Sequence, residues 1–248
     1  MNSPVINFEK VSKTYPLYHH ITGGIKNFLF HLPNAINSMR KFKFEALHDI
    51  TFSVNKGESI GIIGRNGAGK STILGLMAGV LKPTGGRVTI KGKVAPLLEL
   101  GGGFHAELTG RENIILNGIL LGMTKSEVKR KMDVIIEFSE LAGFIEQPIR
   151  MYSSGMLARL GFSVIANLEP DILLIDEILA VGDKDFQKKC LEKMQEFKKL
   201  GVTIVLVSHN MGDVEMMCDR AIWIEDHYQK MDGHPSEVIQ NYLNPETS

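Results

Sequence analysis

The sequence predicts an α/β fold: a doubly wound, mainly parallel sheet, with an antiparallel β part at the N-terminus and a helical subdomain. Three observations predict it. Apolar runs at Ile60–Ile63, Asp171–Glu177 and Val202–Ser208 are short and nearly unbroken, as strands buried on both faces are. The first run turns through Gly64, Gly67 and Gly69 and opens a helix at Lys70-Ser71-Thr72. Between the first run and the second, residues 109–121, 124–142 and 154–168 read as three successive helices.

A chain of 248 residues suits one large domain, here 1–248, with room for an insert. Lys plus Arg and Asp plus Glu both number 28, so no global basic field favours non-specific nucleic-acid binding. Cys190 and Cys218 have neither metal-like spacing nor a disulfide framework, which fits a reducing cytosol. No apolar stretch reaches the roughly 18–20 residues that span a bilayer. The first residues, MNSPVINFEK, lack the apolar core of a signal peptide. A membrane role is therefore expected to run through a separate partner chain.

In chain order, Val5–Val11 alternates apolar and polar residues and reads as an edge strand closed by Lys13-Thr14-Tyr15-Pro16. Residues 17–45 are less regular. Ile25, Phe28, Leu29 and Leu32 recur at helical spacing. Pro33 breaks that pattern, and Ala35, Ile36 and Met39 begin another. Two readings carry equal weight: an amphipathic insert near a membrane surface or membrane partner, or a helical flap packed on its own domain. Ala46–Val54 reads as the second strand, Gly69–Val80 as a helix and Arg87–Ile90 as a short strand. Val94–Glu99 is apolar and runs into Gly101-Gly102-Gly103, a flexible joint by composition. Thr109 with Glu112 spells a capping box. Residues 100–165 are read as the helical subdomain, with 1–99 and 166–248 forming the core. Ala221–Ile224 and Tyr228–Met231 read as a hairpin, and Pro235-Ser236-Glu237 starts a last helix.

The chemistry concentrates at Ser59–Thr72, which carries the phosphate-cradling pattern G-x-x-x-x-G-K-[ST]. Glycines let backbone wrap an anion, and N–H groups at a helix start face it. Gly64, Arg65, Asn66, Gly67, Ala68, Gly69, Lys70, Ser71 and Thr72 are thus the candidate phosphate site. Lys70 would reach the β- and γ-phosphates and the Ser71 hydroxyl would ligate Mg²⁺. Asp176 ends an apolar strand, where a carboxylate serves Mg²⁺, and Glu177 is spaced to activate a water. His209 ends the Val202–Ser208 strand, where its ring can bond a γ-phosphate or that water. Ser153, Ser154 and Gly155 precede an apolar helix. They read either as a simple N-cap or as a helix start that meets phosphate.

The ordered set GRNGAGKST, YSSGM, ILLIDE, Ala180-Val181-Gly182-Asp183 and Ser208-His209 resembles the nucleotide-binding subunit of an ABC transporter, over nearly the whole chain. The phrases ELGGGFHAELTGRENI, YSSGMLARLGFSVIA and DEILAVGDKDFQKKC resemble the subunits that power export of lipid-linked polysaccharide: O-antigen foremost, then capsular polysaccharide or teichoic acid. The resemblance implies a P-loop NTPase core that binds ATP with Mg²⁺ and hydrolyses it. It implies that Tyr15 stacks on adenine and that Ser153, Ser154 and Gly155 form the signature motif. Asp183 would lie in the loop that couples two sites of a homodimer. Glu177 would be the catalytic carboxylate and His209 the switch histidine. A separate integral-membrane permease, in two copies, and a lipid-linked polysaccharide would be the partners, at the cytoplasmic face of the bacterial inner membrane. The chain departs from the family pattern where Ser154 replaces glycine and Met156 replaces glutamine in the signature. The hinge-loop glutamine is also missing, and Glu99 is the nearest polar residue to take its place at the metal. Some relatives carry an added carbohydrate-binding domain, which is not expected after Tyr242. A soluble ABC ATPase acting on ribosomes or DNA is the competing class, but no second cassette or long coiled coil is present. A binding-only module is disfavoured by Glu177 and His209.

Overall fold

A computed structural model describes residues 4–16, 43–97, 103–176 and 183–244 of the chain. Residues 17–42 of the insert, Glu99, Gly101, Gly102, Glu177 and residues 180–182 lie outside them.

Two sheets organise the molecule. The smaller one has the order β2-β1-β4, from β1 (Ile6–Pro16), β2 (Lys43–Val54) and β4 (Gly85–Ile90), all antiparallel. The larger one has the order β5-β6-β7-β3-β8-β9. Its strands are β3 (Ser59–Ile63), β5 (Val94–Leu97), β6 (Ile172–Asp176), β7 (Thr203–Val207), β8 (Arg220–Glu225) and β9 (Tyr228–Gly233). All pairings there are parallel except the β8–β9 hairpin. β1 is therefore a central strand that runs on to Pro16, and the edge-strand expectation is corrected. Alternation reports a half-buried strand but says nothing about which neighbours flank it.

The parallel strands explain their apolar runs. Ile172 and Leu174 enter one core with Val205, Val207, Ile60 and Ile62, while Leu173 and Ile175 enter the other with Ile204 and Leu206. The first core is closed by the small sheet, through Phe8, Ile50 and Phe52, and by α1 (Lys70–Met77). The second is closed by α2 (Gly110–Leu120), α3 (Lys125–Ser139), α4 (Ser154–Ala166) and α5 (Lys184–Lys199). Two further helices, α6 (Met211–Met217) and α7 (Pro235–Leu243), and a single 3-10 turn at Ile149–Met151 complete the described elements. Each fully buried aliphatic side chain contributes roughly 1.5–3 kcal/mol, so a polar substitution in either run is costly.

The helical subdomain forms as its caps dictate. Thr109 and Glu112 make the expected capping box at the start of α2, and Thr124 and Glu127 make a second one at α3. The sequence does not single out α5 as an element, although Asp183 caps it and Phe186, Cys190, Met194 and Phe197 form its buried stripe. Among the described residues, no helix is long and apolar enough to cross a membrane.

One side chain stitches the layers together. Arg220 Nε meets Glu58 at 2.7 Å and its Nη1 meets Asp232 at 2.8 Å, while Nη2 donates to the Ser53 carbonyl of β2. Glu58 and Asp232 are 16% and 24% exposed, so both depend on that guanidinium. Arg220→Met is expected to lower the unfolding free energy by about 2 kcal/mol, read as a shift of the urea midpoint at unchanged slope.

Candidate nucleotide site

The site begins where β3 ends. Gly64 (φ +150°) turns the chain under β8, where an added Cβ would lie 2.1 Å from the Ile224 carbonyl oxygen. Gly69 (φ +110°) starts α1 without a side-chain cap, and a Cβ there would lie 2.5 Å from the Ala46 carbonyl oxygen. Both positions exclude any other residue on steric grounds. The loop thereby presents the first-turn N–H groups of α1 outward.

A cavity of about 480 Å³ lies over this loop. Asn66, Gly67, Gly69, Lys70, Ser71 and Thr72 line its floor, and Asp176, Val207 and His209 line one side. Lys70 is 6% exposed and donates to the carbonyls of Gly64 at 2.8 Å and Arg65 at 3.0 Å. Burial lowers its pKa, and the nearby Asp176 carboxylate opposes that drop. Asp176 shows the converse. Burial raises its pKa, against the pull of Lys70, of His209 and of a hydrogen bond from Ser71. A hydroxyl bonded to a carboxylate at the foot of a lysine is an oxygen pair suited to a hard divalent cation.

The expected residues separate into two groups. Asn66, Gly67 and Gly69–Thr72 of the phosphate loop converge on the cavity with Asp176 and His209, whereas Gly64, Arg65 and Ala68 do not line it. Ser153, Ser154, Gly155, Asp183 and Tyr15 do not line it. Ser153 caps α4, accepting from the Met156 amide at 3.2 Å, with Ser153 and Ser154 exposed. Asp183 caps α5 by accepting from the Phe186 amide at 3.0 Å. Tyr15 lies on β1 under the Lys13 ammonium, 5.0 Å from its ring centre. Its direct cross-strand partner, Phe44, lines the cavity instead, 43% exposed and packed edge-on to His227 at 5.3 Å. Phe44 escaped sequence reasoning because strand pairing, not a local motif, brings it there. The strand read as Ala46–Val54 begins at Lys43, so residues 43–45 leave the insert, and an aromatic residue just upstream of the strand read from the sequence was the available signal.

The family described as ABC transporter matches residues 47–180 of this chain. The O-antigen export system ATP-binding protein RfbB of Klebsiella pneumoniae is 61% identical over 239 residues, covering 96% of this chain and 97% of that one. The chain belongs to the ABC transporter family. Within the family it is also 45% identical to the teichoic acids export ATP-binding protein TagH of Listeria monocytogenes, over 96% of this chain and 69% of that protein. In fold it is similar to an ATP-binding cassette solved as a post-hydrolysis dimer with ADP and Pi. The TM-score there is 0.73 at 20% identity, covering 93% of this chain and 98% of that one.

The loop's steric demands in this ABC transporter chain are testable by a graded pair. Gly64→Ala drives a Cβ into β8 and is expected to abolish binding of a fluorescent ATP analogue and lower the melting temperature. Gly67→Ala (φ +82°, with nothing within 4 Å of the added Cβ) carries backbone strain alone, about 1–2 kcal/mol, and is expected to retain measurable binding.

Proposed function

We propose that this chain is the ATP-binding and ATP-hydrolysing subunit of an ABC exporter that moves lipid-linked polysaccharide, O-antigen foremost, across the cytoplasmic membrane. The observation that carries the proposal is a phosphate loop, a strand-end carboxylate and a strand-end histidine around one cavity, in a chain that is 61% identical over 239 residues to an O-antigen export ATP-binding protein. The relationship to the Listeria protein supports teichoic acid as the second reading of the cargo.

ATP enters with its phosphates on the Gly64–Thr72 loop. Lys70 leaves the Gly64 and Arg65 carbonyls for the β- and γ-oxygens, exchanging two neutral acceptors for anionic ones. Phe44 supplies the flat wall at the cavity mouth for the base, with Tyr15 on the same face of the β1–β2 pair. Ser71 and Asp176 would hold Mg²⁺, which would neutralise charge that develops on the phosphates. Glu99 is kept as a further candidate ligand. Glu177 takes the proton of the attacking water as its oxygen bonds to the γ-phosphorus and ADP departs. His209 bonds the γ-phosphate or that water.

Ser153, Ser154 and Gly155 sit on α4, away from this cavity. Head-to-tail pairing of two copies would bring that helix N-terminus of one copy onto the γ-phosphate held by the other, where its dipole stabilises negative charge. Hydrolysis then loosens the pair and resets the helical subdomain. A permease in two copies docks on the helical subdomain, and the chain is peripheral at the cytoplasmic face. Residues 43–45 belong to β2, so only residues 17–42 of the insert remain candidates for contact with the lipid-linked substrate.

Lys70→Ala is expected to lose ATP binding, and Glu177→Gln to bind ATP while hydrolysing about 100-fold more slowly or worse. In the native host, Lys70→Ala should strip long-chain polysaccharide from the cell surface and leave lipid-linked polymer inside. Wild-type surface polysaccharide in that strain would refute the export role.

A further inference from the structure

Two carboxylates from different parts of the fold meet on one guanidinium. Arg159 lies in α4, a turn and a half after Ser153, and its side chain is 18% exposed. Its Nη1 reaches Glu140 Oε2 at 2.8 Å and its Nη2 reaches Asp183 Oδ2 at 2.5 Å. The guanidinium also lies 5.0 Å over the Phe186 ring. Glu140 is the C-cap of α3 and sits in the left-handed region at φ 59°. Its second oxygen takes Lys189 Nζ of α5 at 3.0 Å. That same ammonium bonds the Phe138 carbonyl at 3.1 Å and covers the Phe138 ring at 4.8 Å. Beneath these charges Phe138, Phe162 and Phe186 pack with ring centres 5.9–6.2 Å apart.

Asp183 divides its two oxygens. Oδ1 starts α5 through the Phe186 amide, and Oδ2 holds Arg159. Both carboxyls are kept below their usual range, Asp183 first by the Phe186 amide and Glu140 first by the Lys189 ammonium, so both stay ionised. An isolated surface ion pair contributes little. This cluster differs because the shared cation is largely buried, forks onto two acids and stacks on a ring, a geometry that lysine cannot copy.

We propose that Arg159 is a positioning residue for ATP hydrolysis, which clamps the serine-capped helix α4 and the α3 C-terminus to Asp183. Asp183 opens α5 only seven residues after Asp176, and the segment between them contains Glu177. Movement of the helical subdomain is thereby transmitted to Asp183, close in sequence to the proposed catalytic acid. The inference rests on the proposed function of the cavity. Neither Arg159 nor Glu140 lines that cavity, so their effect is on turnover rather than on nucleotide affinity.

The test compares the wild-type chain with Arg159→Ala, Arg159→Lys, Asp183→Asn and the double variant Arg159→Ala/Asp183→Asn. Turnover, affinity for a fluorescent ATP analogue and melting temperature are measured for each. Arg159→Ala is expected to lower kcat about tenfold or more with affinity held within about twofold. Arg159→Lys, which keeps the charge and folds most readily, should fall between it and wild type. The double variant should be no slower than the slower single one, since the two residues act as a unit. Unchanged kcat in Arg159→Ala, parallel loss of affinity and kcat in Arg159→Lys, or multiplying losses in the double variant would each overturn the clamp. A wild-type chain that binds no ATP would overturn the proposed function, and the clamp with it.

Discussion

Register among three parallel strands is the constraint on which the site depends. Ile62 of β3 and Asp176 of β6 both stand opposite Val207 of β7. The three strands therefore end at one level, with their carboxyl ends on one side of the sheet. The phosphate loop follows Ile63, Asp176 ends its own strand, and Ser208-His209 follows Val207. Residues far apart in sequence thus emerge into one cavity. A slip of one residue in β6 would turn Asp176 into the core and bring an apolar neighbour to the surface.

That register is held by burial on both sides. The small antiparallel sheet covers one face and the helices the other, so every side chain of β3 and β7 is buried. Arg220 adds direction to this non-directional packing by tying β8, β9, β2 and the turn before β3 to a single cation. The same covering desolvates Lys70. Its charge is tolerated because loop carbonyls and Asp176 replace the water it has lost.

The helical subdomain obeys a different logic. Its helices are fixed by caps at Thr109, Thr124 and Ser153, and it meets the core through the Phe138, Phe162 and Phe186 cluster and the charges above it. These local rules were readable, and the helices appear within a few residues of their expected bounds. The buried strands were equally readable, because a strand covered on both faces has no polar positions to blur it. α5 was obscured by its many lysines and glutamates, which hide a four-residue apolar stripe on a mostly solvated surface. The sequence does not reveal the central place of β1, because a central strand of a half-exposed sheet alternates just as an edge strand does.

The sequence by itself determined the elements whose signals are local: the glycine loop, the apolar strands, the capping boxes and the acid at the end of β6. It did so because sterics, caps and burial on both faces act within a few residues of chain. Only the tertiary structure decided which strands are neighbours, that Phe44 lines the cavity while Tyr15 does not, and that Arg159 joins Glu140 to Asp183. Those facts depend on register and packing between segments distant in sequence, and no local spacing records them.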